Sequence, residues 1–217
     1  GEIKFATERG MQYDFSFHHR VDRVNNTLSY GLAYANTFAE WAAYVSETTY
    51  KFSANSIRQL VDYYLDGICK MMIFGKYLDP GAMNRDITRE GSPEALDATA
   101  PEDLMKATDY RRSELEEIVK IRNGVAKPVL SHSTFFWQSE HFTFQRPDFF
   151  TSVRMYSTRN SNMEHAHNSE GIMNHHRGDG TNYISRTGDE YYDISPVYDW
   201  QKIPGTTVVQ KAALPSE

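Results

Sequence analysis

Arg85 and Arg89 stand four residues apart in GKYLDPGAMNRDITR, a turn-rich segment that follows an apolar stretch. A guanidinium keeps its charge at every relevant pH and donates two parallel hydrogen bonds, which suits it to a carboxylate or a sulfate. Two of them after a helix predict an anion site. The competing expectation is that both are solvated or paired to Asp86 and Glu90, as surface ion pairs commonly are. A second polar cluster, SFHHRVDRVNNTLSYG, holds His18, His19, Arg20, Asn25, Asn26 and Tyr30. Histidine exchanges protons near neutral pH, and a tyrosine phenol acts as a base only among cations. A hydrogen-bonded loop explains the same residues without chemistry.

A third cluster, RNSNMEHAHNSEGIMNHHRGDG, contains Arg159, Glu164, His165, His167, Asn168, Glu170, His175, His176 and Arg177. Imidazoles this close in sequence raise a metal reading, a hydrolase using His165, His167, His175 and His176 that a chelator would inactivate. Against it, adjacent histidines on a strand point to opposite faces, and there is no HExxH. The chain also lacks a P-loop, a GxGxxG after a strand, a GxSxG elbow and paired CxxC motifs.

The elements that must position these clusters fall into two halves. Leu32, Ala35, Phe38, Ala39 and Ala42 recur at helical spacing between Leu28 and Val45. Ser56 is expected to cap a second helix carrying Ile57, Leu60, Val61, Tyr64, Leu65, Ile68 and Met72. After the surface connection EGSPEALDATAPED, the run Leu104, Leu115, Ile118, Val119 and Ile121 predicts one or two shorter helices ending at Gly124. The first half therefore reads as helix and loop throughout. Past Pro128 come short β-branched and aromatic runs, VLSHSTFFW, HFTFQ, FFTSVRMYST and TNYISRTG, separated by turn residues. These predict an antiparallel sheet, so the fold class is α+β with a boundary near Lys127.

With 217 residues the chain can bury a substantial core. A net charge of -6 argues against a general nucleic-acid binder, which needs a concentrated positive field. The single cysteine, Cys69, excludes an intramolecular disulfide, and no run approaches the length of a membrane span. Aromatics at 13% suit a β-rich core or a sugar-binding cleft, since pyranose faces pack well on rings.

In this order the residues resemble polysaccharide lyase family 8, which comprises chondroitin AC, chondroitin ABC, hyaluronate and xanthan lyases, across nearly the whole chain. The family's histidine and tyrosine match His19 and Tyr30 in Leu28-Ser29-Tyr30-Gly31. The interval between them is longer than in chondroitin AC and hyaluronate lyases, so His18 stays a rival for the histidine role. The G-x-Y-x-D segment with two following arginines is similar to that of chondroitin AC lyases. A further pattern is matched by Thr158-Arg159, Glu164, Asn168-Ser169-Glu170 and Gly178-Asp179-Gly180, with one extra residue between Glu164 and Asn168. Gly188 to Tyr191, Trp200 and Pro204 to Thr207 match a last motif, expected to be structural.

The resemblance implies the C-terminal part of an (α/α) toroid over 1–126 and the start of an antiparallel β-sandwich over 127–217. It also implies an internal piece of a longer secreted or periplasmic enzyme, without cofactor, although a structural or assisting divalent cation stays open. An active-site asparagine of the family has no counterpart here. The implied activity is β-elimination on a uronate-containing polysaccharide of chondroitin sulfate or hyaluronan type. His19 and the asparagine would neutralise the uronate carboxylate, Tyr30 would take the C5 proton, and Arg85 and Arg89 would contact substrate or orient the tyrosine. Positive charge from Arg85 and His19 would favour the phenolate. Glu164 completes the implied catalytic set, with His18, Asn168 and Glu170 binding substrate. A different-class alternative is a non-catalytic acidic-glycan-binding or structural fragment.

Overall fold

The structure, a computed structural model, describes residues 3–214. A wide π turn, Thr27–Gly31, leads into α1 (Leu32–Val45), which buries Ala35, Ala39 and Ala42 along one side. These small side chains let α4 (Thr99–Ala107) approach closely, and α5 (Arg112–Arg122) packs on α4 in turn. Between them runs α2 (Ala54–Asp62), continued by the wide turn Tyr63–Ile68 into the single turn α3 (Cys69–Met71). Its N-cap is Ser53, whose hydroxyl accepts from the Ser56 backbone N–H. Ser56, expected at the cap, instead supplies the amide that the cap satisfies. Tyr63, Tyr64, Leu65 and Ile68 are all buried, so this is the central helix of the core.

Helix and loop do not account for the whole first half. A two-residue hairpin, β1 (Gly10–Met11) with β2 (Phe17–His18), precedes the helices. It carries the histidines to the base of the sheet.

Four antiparallel strands follow in the order β3 (His132–Phe136), β4 (His141–Arg146), β5 (Phe149–Arg154) and β6 (Thr181–Ser185). The aromatic and β-branched runs form strands where expected. Their facing is unusual: in β4 it is His141, Thr143 and Gln145 that are buried, while Phe142 and Phe144 are half-exposed. Alternation fixes only that the two sets lie on opposite faces. Two members of the polar set meet polar groups of the loop that packs on this face, His141 lying with its Nε2 3.1 Å from Asp79 Oδ2. Gln145 Oε1 accepts from the Phe74 amide at 2.8 Å, and Ser152 Oγ donates to Asp79 Oδ1 at 2.9 Å.

Phe136, from the sheet, belongs to the same apolar cluster as the helices. A smaller cluster of Ile87, Trp200 and Ile203 backs the arginine segment, which gives the Trp200 motif the structural role expected of it. Cys69 is buried and unpaired, and burial pushes its thiol up to about 11.

Candidate active site

Local hydrogen bonding builds the turn that carries Tyr30. Asn25 Oδ1 accepts from the Thr27 amide at 3.0 Å and from its hydroxyl at 2.6 Å, a side chain closing its own turn two residues on. Asn26 then offers its carbonyl to the Ser29 and Gly31 amides, opening the π turn. Gly31 is required by packing: a Cβ there would lie 2.3 Å from the Tyr63 hydroxyl and 2.7 Å from Phe17 Cβ.

The arginines sit on the second segment. Asp79 caps a short 3-10 turn, Pro80–Ala82, by accepting from the Gly81 amide at 3.0 Å. A second 3-10 turn, Asn84–Thr88, follows, with Asn84 in the left-handed region at φ 54. The third segment, after β5, brings in Glu164 and then a tight turn at 167–170. Both central residues of that turn, Asn168 and Ser169, have positive φ, as hairpin turns of this kind require.

Together the segments assemble one network. Arg85 Nη2 donates to Tyr30 Oη at 2.6 Å and Nη1 to Glu164 Oε1 at 2.5 Å. Its Nε donates to Glu170 Oε2 at 3.2 Å. Arg89 holds the same Glu170 through Nε at 2.8 Å and Nη2 at 3.1 Å, and it also pairs with Asp86 at 3.1 Å. The His19 ring lies flat on Tyr30, with centroids 3.5 Å apart and planes 5° apart. Arg85 and Glu164 are only 4% and 3% exposed, whereas Arg89 is 50% exposed, so the network runs from the interior to the surface.

Electrostatics follow from these contacts. Burial opposes the Arg85 charge, but the Tyr30 hydrogen bond and Glu164 more than offset it and raise its pKa. The hydrogen bond from Arg89 holds Glu170 below the ordinary carboxylate range. His19 is lowered, first by burial and then by Arg20, Arg9 and Arg85, so its ring is neutral near pH 7.

Several expectations change as a result. The forks of Arg85 and Arg89 are filled by Glu164, Glu170 and Asp86, so they are not an empty grip awaiting an anion. His18 is fully buried, its Nε2 3.0 Å from Ser139 Oγ, and burial pulls it down to about 4. That leaves no surface on His18 for a glycan, which corrects its place among the substrate-binding residues and leaves His19 at Tyr30. Asn168 is exposed at the tip of its turn, and Glu170 binds arginines. Arg159 pairs with Glu140, away from this network.

The histidine-rich loop gathers no group of three or more metal-ligand side chains among the described residues. His176 Nδ1 lies 2.8 Å from Asp179 Oδ2, and His175 packs edge-on against His176.

Sequence reasoning missed a buried polar layer beneath the network. Arg154, Arg177, Asp79 and Asn84 are each at most 4% exposed and are bonded to backbone between the arginine segment and the sheet. Burial and the neighbouring Arg177 charge pull Arg154 down to about 9. Only the Asp-Pro-Gly turn at 79–81 gave a sequence signal for this layer.

The network thus holds the Tyr30 oxygen with a buried arginine on one side and an imidazole stacked on its ring. Residues 131–217 match the polysaccharide lyase family 8 super-sandwich domain. The chain is 30% identical over 207 residues to chondroitinase-AC of Pedobacter heparinus, covering 92% of this chain and 29% of that protein. A chondroitinase AC lyase solved as enzyme–oligosaccharide complexes superposes with a TM-score of 0.83 at 26% identity, covering 93% of this chain and 30% of that one. A Paenibacillus xanthan lyase is alike in fold, with a TM-score of 0.77 at 19% identity, covering 99% and 24%. These matches support membership of polysaccharide lyase family 8, whose super-sandwich domain residues 131–217 match. It spans less than a third of the length of the chondroitinase-AC it matches. Among the described residues no helix is long and apolar enough to cross a membrane.

Proposed function

We propose that the intact protein cleaves an acidic, uronate-containing polysaccharide by β-elimination, with Tyr30 as both base and acid. The observation that carries this reading is the 2.6 Å hydrogen bond from Arg85 to the Tyr30 oxygen beneath the stacked His19 ring. A cationic donor aimed at that oxygen stabilises negative charge on it and costs no reorganisation during the reaction. Tyr30 takes the C5 proton, the electron pair forms the C4=C5 double bond, and the C4–O4 bond breaks. The same phenol then returns a proton to O4, leaving an unsaturated uronide at the non-reducing end of one fragment and a new reducing-end hydroxyl on the other.

Glu164 and Glu170 hold Arg85 in place for this task, and Arg89 fixes Glu170. His19 supplies a hydrogen bond to the uronate. Arg9, whose Nε donates to the His19 carbonyl at 3.0 Å, and Arg20 pair with no carboxylate among the described residues and place positive charge beside His19. The substrate class is glycosaminoglycan, of chondroitin sulfate or hyaluronan type, because the arginine segment and the 30% identity both point to chondroitinase AC. The helices fit the end of an (α/α) toroid and the sheet the start of a β-sandwich, with the boundary near Lys127. The reading needs no cofactor, and a secreted or periplasmic location matches a polymeric substrate.

The test follows ultraviolet absorbance of the new double bond with a panel of uronate polymers. Tyr30→Phe is expected to lower kcat by roughly 10²–10⁴ while leaving glycan binding nearly unchanged. Retained turnover in the variant would exclude Tyr30 as the base.

A further inference from the structure

We infer that Arg177 is a positioning residue for Arg85: it clamps the arginine segment from the sheet side and, through Asn84, locks that segment to the turn carrying Tyr30. This rests on the function proposed above.

Arg177 is 1% exposed and stands at the end of a 3-10 turn, Asn174–Gly178. Its two Nη groups donate to the carbonyls of Pro80 and Asn84, the latter the residue directly before Arg85. Asn84 donates its side-chain amide to the Asn25 carbonyl, on the segment that builds the Tyr30 turn. One guanidinium and one amide therefore connect the sheet, the Arg85 segment and the Tyr30 turn.

The clamp opposes a conformational tendency. Asn84 sits at φ 54, where a non-glycine residue costs free energy unless its surroundings hold it. Arg177 and Asn25 bind the two polar ends of that residue. On the far side, Thr88 Oγ1 donates to the Arg85 carbonyl at 2.8 Å and accepts from the Gly171 amide at 3.3 Å. A Cβ at Gly171 would come within 2.8 Å of Arg85 Cβ, so the segment has little room to move away from the clamp. Arg177 contacts neither Tyr30 nor Glu164 by hydrogen bond or ion pair, so its effect on chemistry must pass through backbone.

The experiment compares Arg177→Lys with wild type in the intact protein, because a single ammonium cannot hold two carbonyls as a guanidinium fork does. Misplacing the Arg85 donor should lower kcat by about 10- to 100-fold with KM nearly unchanged. In an Arg85→Lys background the same substitution should cost almost nothing further, because the group it positions is already gone. Equal losses in both backgrounds would overturn the inference, since a general structural defect acts alike in each. Should Arg177→Lys fail to fold, Asn84→Gly tests the same link: it tolerates the backbone conformation but lacks the amide. Unchanged kcat in that variant would also overturn it. Amide hydrogen exchange separates this inference from the functional reading. Faster exchange over 80–89 in the variant supports the clamp even if wild type cleaves no uronate polymer, and unchanged exchange there refutes it.

Discussion

Arg85 and Arg111 each gather carboxylates around one guanidinium, in opposite surroundings. Arg111 pairs with Asp62 at 2.8 Å, Asp66 at 2.5 Å and Glu114 at 2.7 Å, all on neighbouring helical turns and all partly open to water. Its ligands are carboxylates only, apart from a nearby phenol, Tyr110, that bonds to Asp62 rather than to the arginine. Arg85 draws Tyr30, Glu164 and Glu170 from segments far apart in sequence, and it is nearly sealed from solvent. A phenol oxygen takes one of its donor positions, with an imidazole stacked on that phenol. The two clusters share a composition of charges and differ in burial and in that one ligand. A salt bridge becomes a candidate catalytic group when its cation is aimed at an oxygen that can exchange a proton.

Substituting each arginine in turn would break the comparison if it is wrong. Arg85→Met should abolish measurable turnover and also destabilise the fold by about 3–5 kcal/mol, since Glu164 would be left buried without its partner. Thermal unfolding and the absorbance assay read the two effects separately. Stability unchanged by Arg85→Met would mean that Glu164 is not held as the structure shows.

Burial on the site side also predicts a pH dependence of intermediate size. His18 has a folded value of about 4 against an ordinary 6.5. The unfolded chain thus takes up a proton as pH falls below 6.5, while the folded state does so only near 4. Stability is full above pH 6.5 and declines as pH falls through that window, by roughly 3 kcal/mol. Denaturant titrations of wild type and His18→Gln between pH 4 and 7 check this: the variant should lose that part of the slope, and an unaltered slope would show that His18 is not its source.

The smallest effect belongs to the control. Arg111→Met should cost far less than Arg85→Met, about 1 kcal/mol, because its carboxylates stay in contact with water, and leave kcat and KM at wild-type values. A large loss of activity there would erase the distinction between the two clusters.

Much of this was legible in residue order. The helical periodicity of Leu32 to Ala42, the four strand runs and the turn residues between them carry local information, and each became the element its pattern predicts. Tyr30, His19, Arg85 and Glu164 could be singled out because their types and order match a family pattern. The inward face of the sheet could not. His141, Thr143 and Gln145 alternate with Phe142 and Phe144, and hydrophobicity alone would bury the phenylalanines. What lies opposite decides the matter, here the Phe74 backbone amide that donates to Gln145 and the Asp79 turn. The same limit hid Arg177, which in sequence is one more cation in a histidine-rich loop.

By itself, then, the sequence determined the order and type of the main elements, the single cysteine and the residue types on which the proposed proton transfer rests, because these depend on each residue and its near neighbours. Only tertiary structure decided which histidine meets Tyr30, that the arginine forks are already filled, and that a buried arginine from the loop between β5 and β6 bonds the backbone just before Arg85. Hydrogen bonds and desolvation depend on groups brought together from distant parts of the chain, and spacing along it does not encode which of them will meet.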